Sequence, residues 1–234
     1  MRLRLGLVKA SAWGMSRVVH KAADMLDAMT APKLLHIDDA LLVVVKPAGM
    51  LSVPGLGQGL HDNLSTRVQA LHPDARVVHR LDQATSGLML FARGAAVQRA
   101  LSMAFEARQV QKHYVAVVMG RVDGDAGSID TPLIADWPNR PRQKVDLQHG
   151  KPALTHWRVL DRNELSTRLE LQPISGRTHQ LRVHLQSVGH PILGDMLYAS
   201  DSQGNTRLML HATRIAFVHP LRQEACCFTD APPF

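Results

Sequence analysis

A chain of 234 residues carrying a net charge of +7 has room for one large domain or two small ones, and its basicity favours a polyanionic partner, most simply nucleic acid. No apolar run approaches the ~20 residues that a membrane-crossing helix needs, so no membrane role is expected. The two cysteines, Cys226 and Cys227, are adjacent and offer no ordinary disulfide, while the 13 histidines show no HExxH or CxxC pattern; a reducing cytoplasm and no metal site follow.

Residues 1–33 are basic (Arg2, Arg4, Lys9, Arg17, Lys21), with no acid before Asp24. They lack the serine richness and amphipathic stripe of a transit peptide and the unbroken apolar region of a signal peptide. The expectation is an extension, partly helical or disordered, ahead of a domain at 34–234; Met15, Met25 or Met29 could each start a shorter product. Ala40–Lys46 reads as a buried strand stopped by Pro47. Asn63–Leu71 places Leu64, Val68 and Leu71 at helical spacing behind Asp62 or Asn63 as N-cap. Ala95–Arg108 predicts an amphipathic helix with Val97, Leu101, Ala104 and Phe105 on one side. Gln111–Met119 reads as a strand and 120–127 as a turn.

Trp137–Lys144 is a basic loop whose prolines exclude a regular element, and its Arg140, Arg142 and Lys144 are spaced to touch a phosphate backbone; a merely solvated loop is the plainer alternative. Ala153–Leu160 and Leu165–Gln172 predict a strand pair about the turn at 161–164. Thr178–Val188 predicts a helix with Leu181, Leu185 and Val188 on one face, ended by Gly189 and Pro191. Leu208–Val218 is a last strand closing the sheet. The fold class that results is α+β, one domain with a mostly antiparallel mixed sheet flanked by helices and loops. Most histidines are expected to be solvated, capping or facing RNA.

The chemistry concentrates in Val77–Arg93, VVHRLDQATSGLMLFAR. An apolar approach leads into a polar turn carrying His79, Arg80, Asp82, Thr85 and Ser86, and a buried strand follows. Read alone, it also fits an exposed hairpin in which Asp82 caps a turn. Its segment HRLDQATSG (79–87) resembles the catalytic signature of the RluA family of pseudouridine synthases. PISGRTHQLRVHLQSVGHPILGDMLY (173–198) resembles that family's other core motif. VVVKPAGMLSVPG (44–55), KHYVAVVMG (112–120) and PLIADWPNRPRQKV (132–145) extend the likeness over about 34–231, and the DWPNRP segment points to the family's type branch.

The resemblance implies an RNA pseudouridine synthase needing no cofactor. It implies Asp82 as the essential carboxylate, with Arg182 paired to it and holding it ionised, since a desolvated aspartate otherwise tends to protonate. It implies Tyr114 as an aromatic that stacks on the displaced uracil and offers a hydroxyl, and Arg80 as the group entering the space vacated by the flipped nucleotide. Without it, Arg182 is an exposed helix arginine, Tyr114 a core aromatic and Arg80 a phosphate contact. His79, Thr85, Ser86 and Gly87 are expected to shape the turn, the hydroxyls by bonding local backbone. Two RNA partners are implied: a 23S ribosomal RNA hairpin and the anticodon stem-loop of certain tRNAs, with no obligatory protein partner. Some relatives carry an S4-type RNA-binding domain at the N-terminus, for which 1–33 is short. The rival readings are a non-catalytic RNA-binding assembly factor on the same fold, and an aspartate-nucleophile phosphoesterase, which would want metal-ligating acidic motifs that are missing.

Overall fold

The computed structural model describes residues 31–55, 62–199 and 207–234. The expected extension at 1–33 therefore lies almost wholly outside the described residues. Residues 32–234 form one compact unit, and the expected boundary at 33/34 falls within its first strand.

That strand, β1 (Lys33–Ile37), pairs with β2 (Leu41–Lys46), and β2 with β4 (Ser86–Arg93). A short β3 (Ala75–Val77) flanks β4. On the other side run β5 (Gln111–Met119), β10 (Ser166–Pro173), β9 (Leu154–Arg162) and β6 (Ala126–Asp130). The two halves meet at β11 (Leu210–Val218), which lies between β4 and β5 and carries β12 (Ala225–Thr229) along part of its length. Ten strands thus share one sheet, and the β4–β11 contact is its parallel pair; every other pairing is antiparallel. The predicted last strand sits at the centre of the sheet and does not close its edge.

Burial explains the patterns. β4 is apolar from Gly87 to Ala92 because both its faces are covered. Leu88, Leu90 and Ala92 pack with Val97 and Leu101 of α2 (Gly94–Glu106), while Met89 and Phe91 pack with Leu64 and Val68 of α1 (Leu64–Leu71). α1 starts where Asn63 accepts the Thr66 N–H at 3.0 Å, the expected cap. β10 alternates, burying Thr167, Leu169, Leu171 and Pro173, and receives Leu181 and Leu185 of α3 (Gln180–Ser187).

Three local readings need correction. The 137–144 segment is only partly a loop: Trp137–Asn139 forms a 3₁₀ turn, and β7 (Leu133–Ala135) pairs with β8 (Gln143–Val145) around it. The prolines sit at the tip, where no ladder hydrogen bond is needed. α3 begins two residues late because His179 adopts a left-handed φ of 54°, and Val188 lies past its end, exposed. Several histidines are structural: His184, His211 and His219 are all buried. His184, for one, bonds Thr155 Oγ1 and the Thr131 carbonyl.

Candidate active site

The 78–85 loop enters the sheet at β4, and its neighbours bolt it down on both sides of Asp82. Ser52 Oγ donates to the Leu81 carbonyl at 2.6 Å and accepts the Leu81 N–H at 3.1 Å. Gln83 accepts the Gly49 N–H through its carbonyl, and its side chain donates back to the Gly49 carbonyl. Lys46, fully buried, donates to the carbonyls of Pro47, Met50 and Gln83 at 2.8–3.0 Å. Burial pulls its pKa down to about 7, opposed by the charge of Asp82. Three acceptors match the three N–H bonds of an ammonium group. The carboxylate is thus carried on a loop whose backbone cannot drift.

His79 opens the loop. Its Nε2 accepts the Leu90 N–H at 2.9 Å and its ring stacks on Phe105. Burial, reinforced by nearby Lys112, lowers its pKa to about 3, so the ring stays neutral and shapes the turn. Thr85 closes the turn through its N–H to the Asp82 carbonyl. Ser86 departs from expectation: its hydroxyl lies 2.8 Å from His211 Nδ1 and accepts from Arg207 at 2.6 Å, partners more than a hundred residues away.

Arg182 reaches the same point from α3. The loop before the helix is held by Gln180, whose side chain accepts from Ser175 Oγ and the Arg177 N–H and donates to Leu154 O and Thr155 Oγ1. Arg182 is only 4% exposed, and its Nη1 stands 3.7 Å from Asp82 Oδ2. Its tightest partner is a residue the sequence reading passed over. Asp195, 1% exposed, takes Arg182 Nε at 2.7 Å and Nη2 at 2.6 Å in a bidentate pair. Asp195 Oδ1 also accepts the N–H groups of Leu197 and Tyr198, which sets the Tyr198 ring 5.0 Å from the guanidinium. Arg182 is therefore locked by Asp195 and turns its remaining nitrogen toward Asp82.

Tyr114 projects from β5. Burial raises its phenol pKa, and the charge of Asp82 raises it further, so it stays protonated. Arg80 is exposed beside Asp82. A cavity of about 490 Å³ is lined by Asp82, Tyr114, Arg182, His179, Lys112 and Phe105, a size suited to a nucleoside. A second, of about 680 Å³, shares Arg80, Leu81, Asp82, His179 and Arg182 with the first and extends among Val53, Pro54, Pro141, Met196 and Leu197. Lys112, His179, Asp195 and Tyr198, like Arg108 and Arg177 on the rim of the first cavity, were missed as site residues. All but Arg108 lie inside the quoted motifs, so motif membership was the available signal. Arg140, Arg142 and Lys144 are exposed on the β7–β8 hairpin, with Arg140 3.9 Å over the Trp137 ring.

Among the described residues, Asp38, Asp39 and His219 could gather three metal-ligand atoms. The Asp38 carboxylate is already occupied by the N–H groups of Ala40 and Leu41, by His36 and His219, and by the Arg222 guanidinium. That crowd of donors fits a partly buried structural anion better than an ion site. No helix of the described residues is long and apolar enough to cross a membrane.

Comparison with known proteins bears on this geometry. The family model for RNA pseudouridylate synthase matches residues 40–187. The dual-specificity RNA pseudouridine synthase RluA of Pasteurella multocida (strain Pm70) is 46% identical over 204 residues, 86% of this chain and 93% of that protein. RluA of Escherichia coli (strain K12) is 47% identical over the same shares. The solved structure of human RNA Pseudouridylate Synthase Domain Containing 1 superposes with a TM-score of 0.74 at 27% identity, covering 88% of this chain and 85% of that one. Sequence and fold agree: the chain belongs to the RNA pseudouridylate synthase family and is an RNA pseudouridine synthase.

Proposed function

We propose that Asp82 is the carboxylate that starts uridine isomerisation, and that the substrates are a 23S ribosomal RNA hairpin and the anticodon stem-loop of certain tRNAs. Two RNA classes accord with the name dual-specificity that the bacterial relatives carry. On this reading residues 32–234 are the catalytic domain, the residues before them an extension, and the enzyme works in the cytoplasm without an obligatory protein partner. The observation that carries the assignment is the approach of Arg182 Nη1 to Asp82 Oδ2 at 3.7 Å, at the wall of a cavity that also holds Tyr114.

The reaction breaks the C1′–N1 bond, turns the uracil, joins C1′ to C5, and moves a proton from C5 to N1. Atoms and electrons balance without a cofactor. Arg182, held by its Asp195 clamp, keeps the carboxylate aimed as the bond opens. Tyr114 offers a flat face for the detached ring and a protonated hydroxyl for the proton transfer. Arg80, unencumbered beside the cavity, fills the gap left in the RNA stack. Arg108 and Arg177 at the rim, with Arg140, Arg142 and Lys144 on the hairpin, meet phosphates. A small domain reading two RNAs suits recognition of loop shape and a few unstacked bases.

The test incubates purified protein with a 23S hairpin transcript and a tRNA anticodon stem-loop and maps pseudouridine in each. Asp82→Asn is expected to bind both RNAs within about twofold of wild type while losing at least about 10⁴-fold in single-turnover rate. Product formed by Asp82→Asn at the wild-type rate removes Asp82 from the chemistry. Binding without product by the wild type itself would make the chain a non-catalytic RNA-binding protein on this fold.

A further inference from the structure

His179 sits where the two cavities share a wall, lining both. It holds a left-handed backbone, φ 54°, which a residue other than glycine rarely adopts and which recurs at functional positions. Its neighbours determine which ring nitrogen carries the proton. The Gln143 backbone N–H donates to Tyr198 Oη at 2.7 Å. The phenolic proton then needs an acceptor, and His179 Nδ1 stands 2.7 Å away. With Nδ1 accepting that proton, the neutral ring carries its own on Nε2.

The ring is kept neutral by its surroundings. Burial lowers its pKa; Arg182 and Arg80 lower it further, against the opposing charges of Asp82 and Asp195. Nε2 stands 3.9 Å from Asp82, and its nearer oxygen there is Oδ2. Arg182 Nη1 approaches the same oxygen at 3.7 Å. Two donors, from the left-handed turn and from the helix, thus face one carboxylate oxygen. Both distances are longer than a hydrogen bond, as catalytic contacts often are before substrate arrives.

We propose that His179 is a positioning residue: its Nε2–H, fixed by Tyr198, closes on Asp82 Oδ2 together with Arg182 when RNA fills the cleft, and so presents Oδ1 to the extruded nucleotide. The proposal rests on Asp82 being the reacting carboxylate. It also gives Tyr198 a second part. Gln143 lies on β8 between Arg142 and Lys144, so Tyr198 joins the basic hairpin to His179 through two hydrogen bonds.

Two variants and one spectroscopic signature test it. His179→Asn keeps a residue tolerant of left-handed backbone and an oxygen to accept from Tyr198, but has no donor that reaches Oδ2. Its single-turnover rate on either RNA should fall about 100-fold, the cost of misplacing a reacting group, with RNA affinity within about twofold of wild type. Tyr198→Phe keeps the ring beside Arg182 and removes the relay, and its rate should fall about tenfold. In ¹⁵N spectra of histidine-labelled protein, the resonances lost in His179→Asn should show a protonated Nε2 in the wild type and a mixture of tautomers in Tyr198→Phe. A wild-type Nδ1–H tautomer, or a His179→Asn rate within about threefold of wild type, overturns the proposal. If His179→Asn does not fold, the histidine resonances that change in Tyr198→Phe identify His179, and a Tyr198→Phe rate within about twofold of wild type overturns the proposal. Should Asp82 not be the reacting group, Asp82→Asn stays active while the tautomer signature stands, so the two failures can be told apart.

Discussion

At the scale of single residues, the site is built from groups held in one protonation state by burial. His79 is the clearest, because its acceptor bond to the Leu90 N–H requires an unprotonated Nε2 and its pKa lies near 3. A group depressed on folding contributes stability that is complete above its unfolded pKa, about 6.5, and is lost as pH falls toward the folded value. The wild type should therefore lose up to about 2 kcal/mol between pH 6.5 and 5 from this ring alone. His79→Gln, whose amide oxygen can accept from Leu90 without titrating, should lose less over the same interval. Thermal melts across that range check this; parallel curves for the two proteins would count against it. Asp195 shows the opposite economy. It is buried and charged, yet two guanidinium nitrogens and two backbone N–H groups answer it, so removing it would strand Arg182 as a buried unpaired cation.

At the scale of elements, the β7–β8 hairpin carries exposed Arg140, Arg142 and Lys144 together with Trp137, 62% exposed beneath Arg140. Arg142→Ala should weaken RNA binding uniformly across sequences and reduce the slope of log affinity against log salt by about 1. Affinities titrated at several salt concentrations check it, and an unchanged slope would make the hairpin a bystander. This hairpin also shows where sequence reasoning stopped. Long elements with a strong period, such as β5, α2 and the β9–β10 pair, were legible because burial imposes their pattern locally. Three-residue strands at 133–135 and 143–145 were not, since too few residues stand on each face to show a period and the prolines between them mask the pairing. The start of α3 was displaced for a similar reason: Leu181 and Leu185 report the helix, but the left-handed turn at His179 leaves no periodic trace. Asp82, Arg80, Tyr114 and Arg182 were singled out by resemblance, and all four line one cavity. Asp195 could have been suspected only as an acid in the same motif, 13 residues past a buried arginine.

At the scale of the whole molecule, the sheet is two antiparallel halves joined along a short parallel seam, Ser86 opposite His211 and Gly87 opposite Ala212. Gly87 has φ +113° and no space for a side chain, because a Cβ there would run into the Ala212 backbone. Its place in the signature is thus a condition on the seam, five residues from Asp82. Gly87→Ala should cost about 3–5 kcal/mol by combining backbone strain with a forced separation of β4 and β11. Denaturant unfolding measures this, and a loss below about 1 kcal/mol would show that the seam yields.

The two cavities flanking Arg80–Asp82 have a practical consequence. A small apolar compound seated in the larger one, among Val53, Pro54, Met196 and Leu197, would touch Asp82 and Arg182, which line both cavities, without entering the part where Tyr114 stands. Arg80 and Pro141 line that cavity too, so such a compound should slow turnover and raise KM for RNA, and a high RNA concentration should restore part of the rate. The second chamber is then a place from which a drug could reach Asp82 without filling the pocket beside Tyr114.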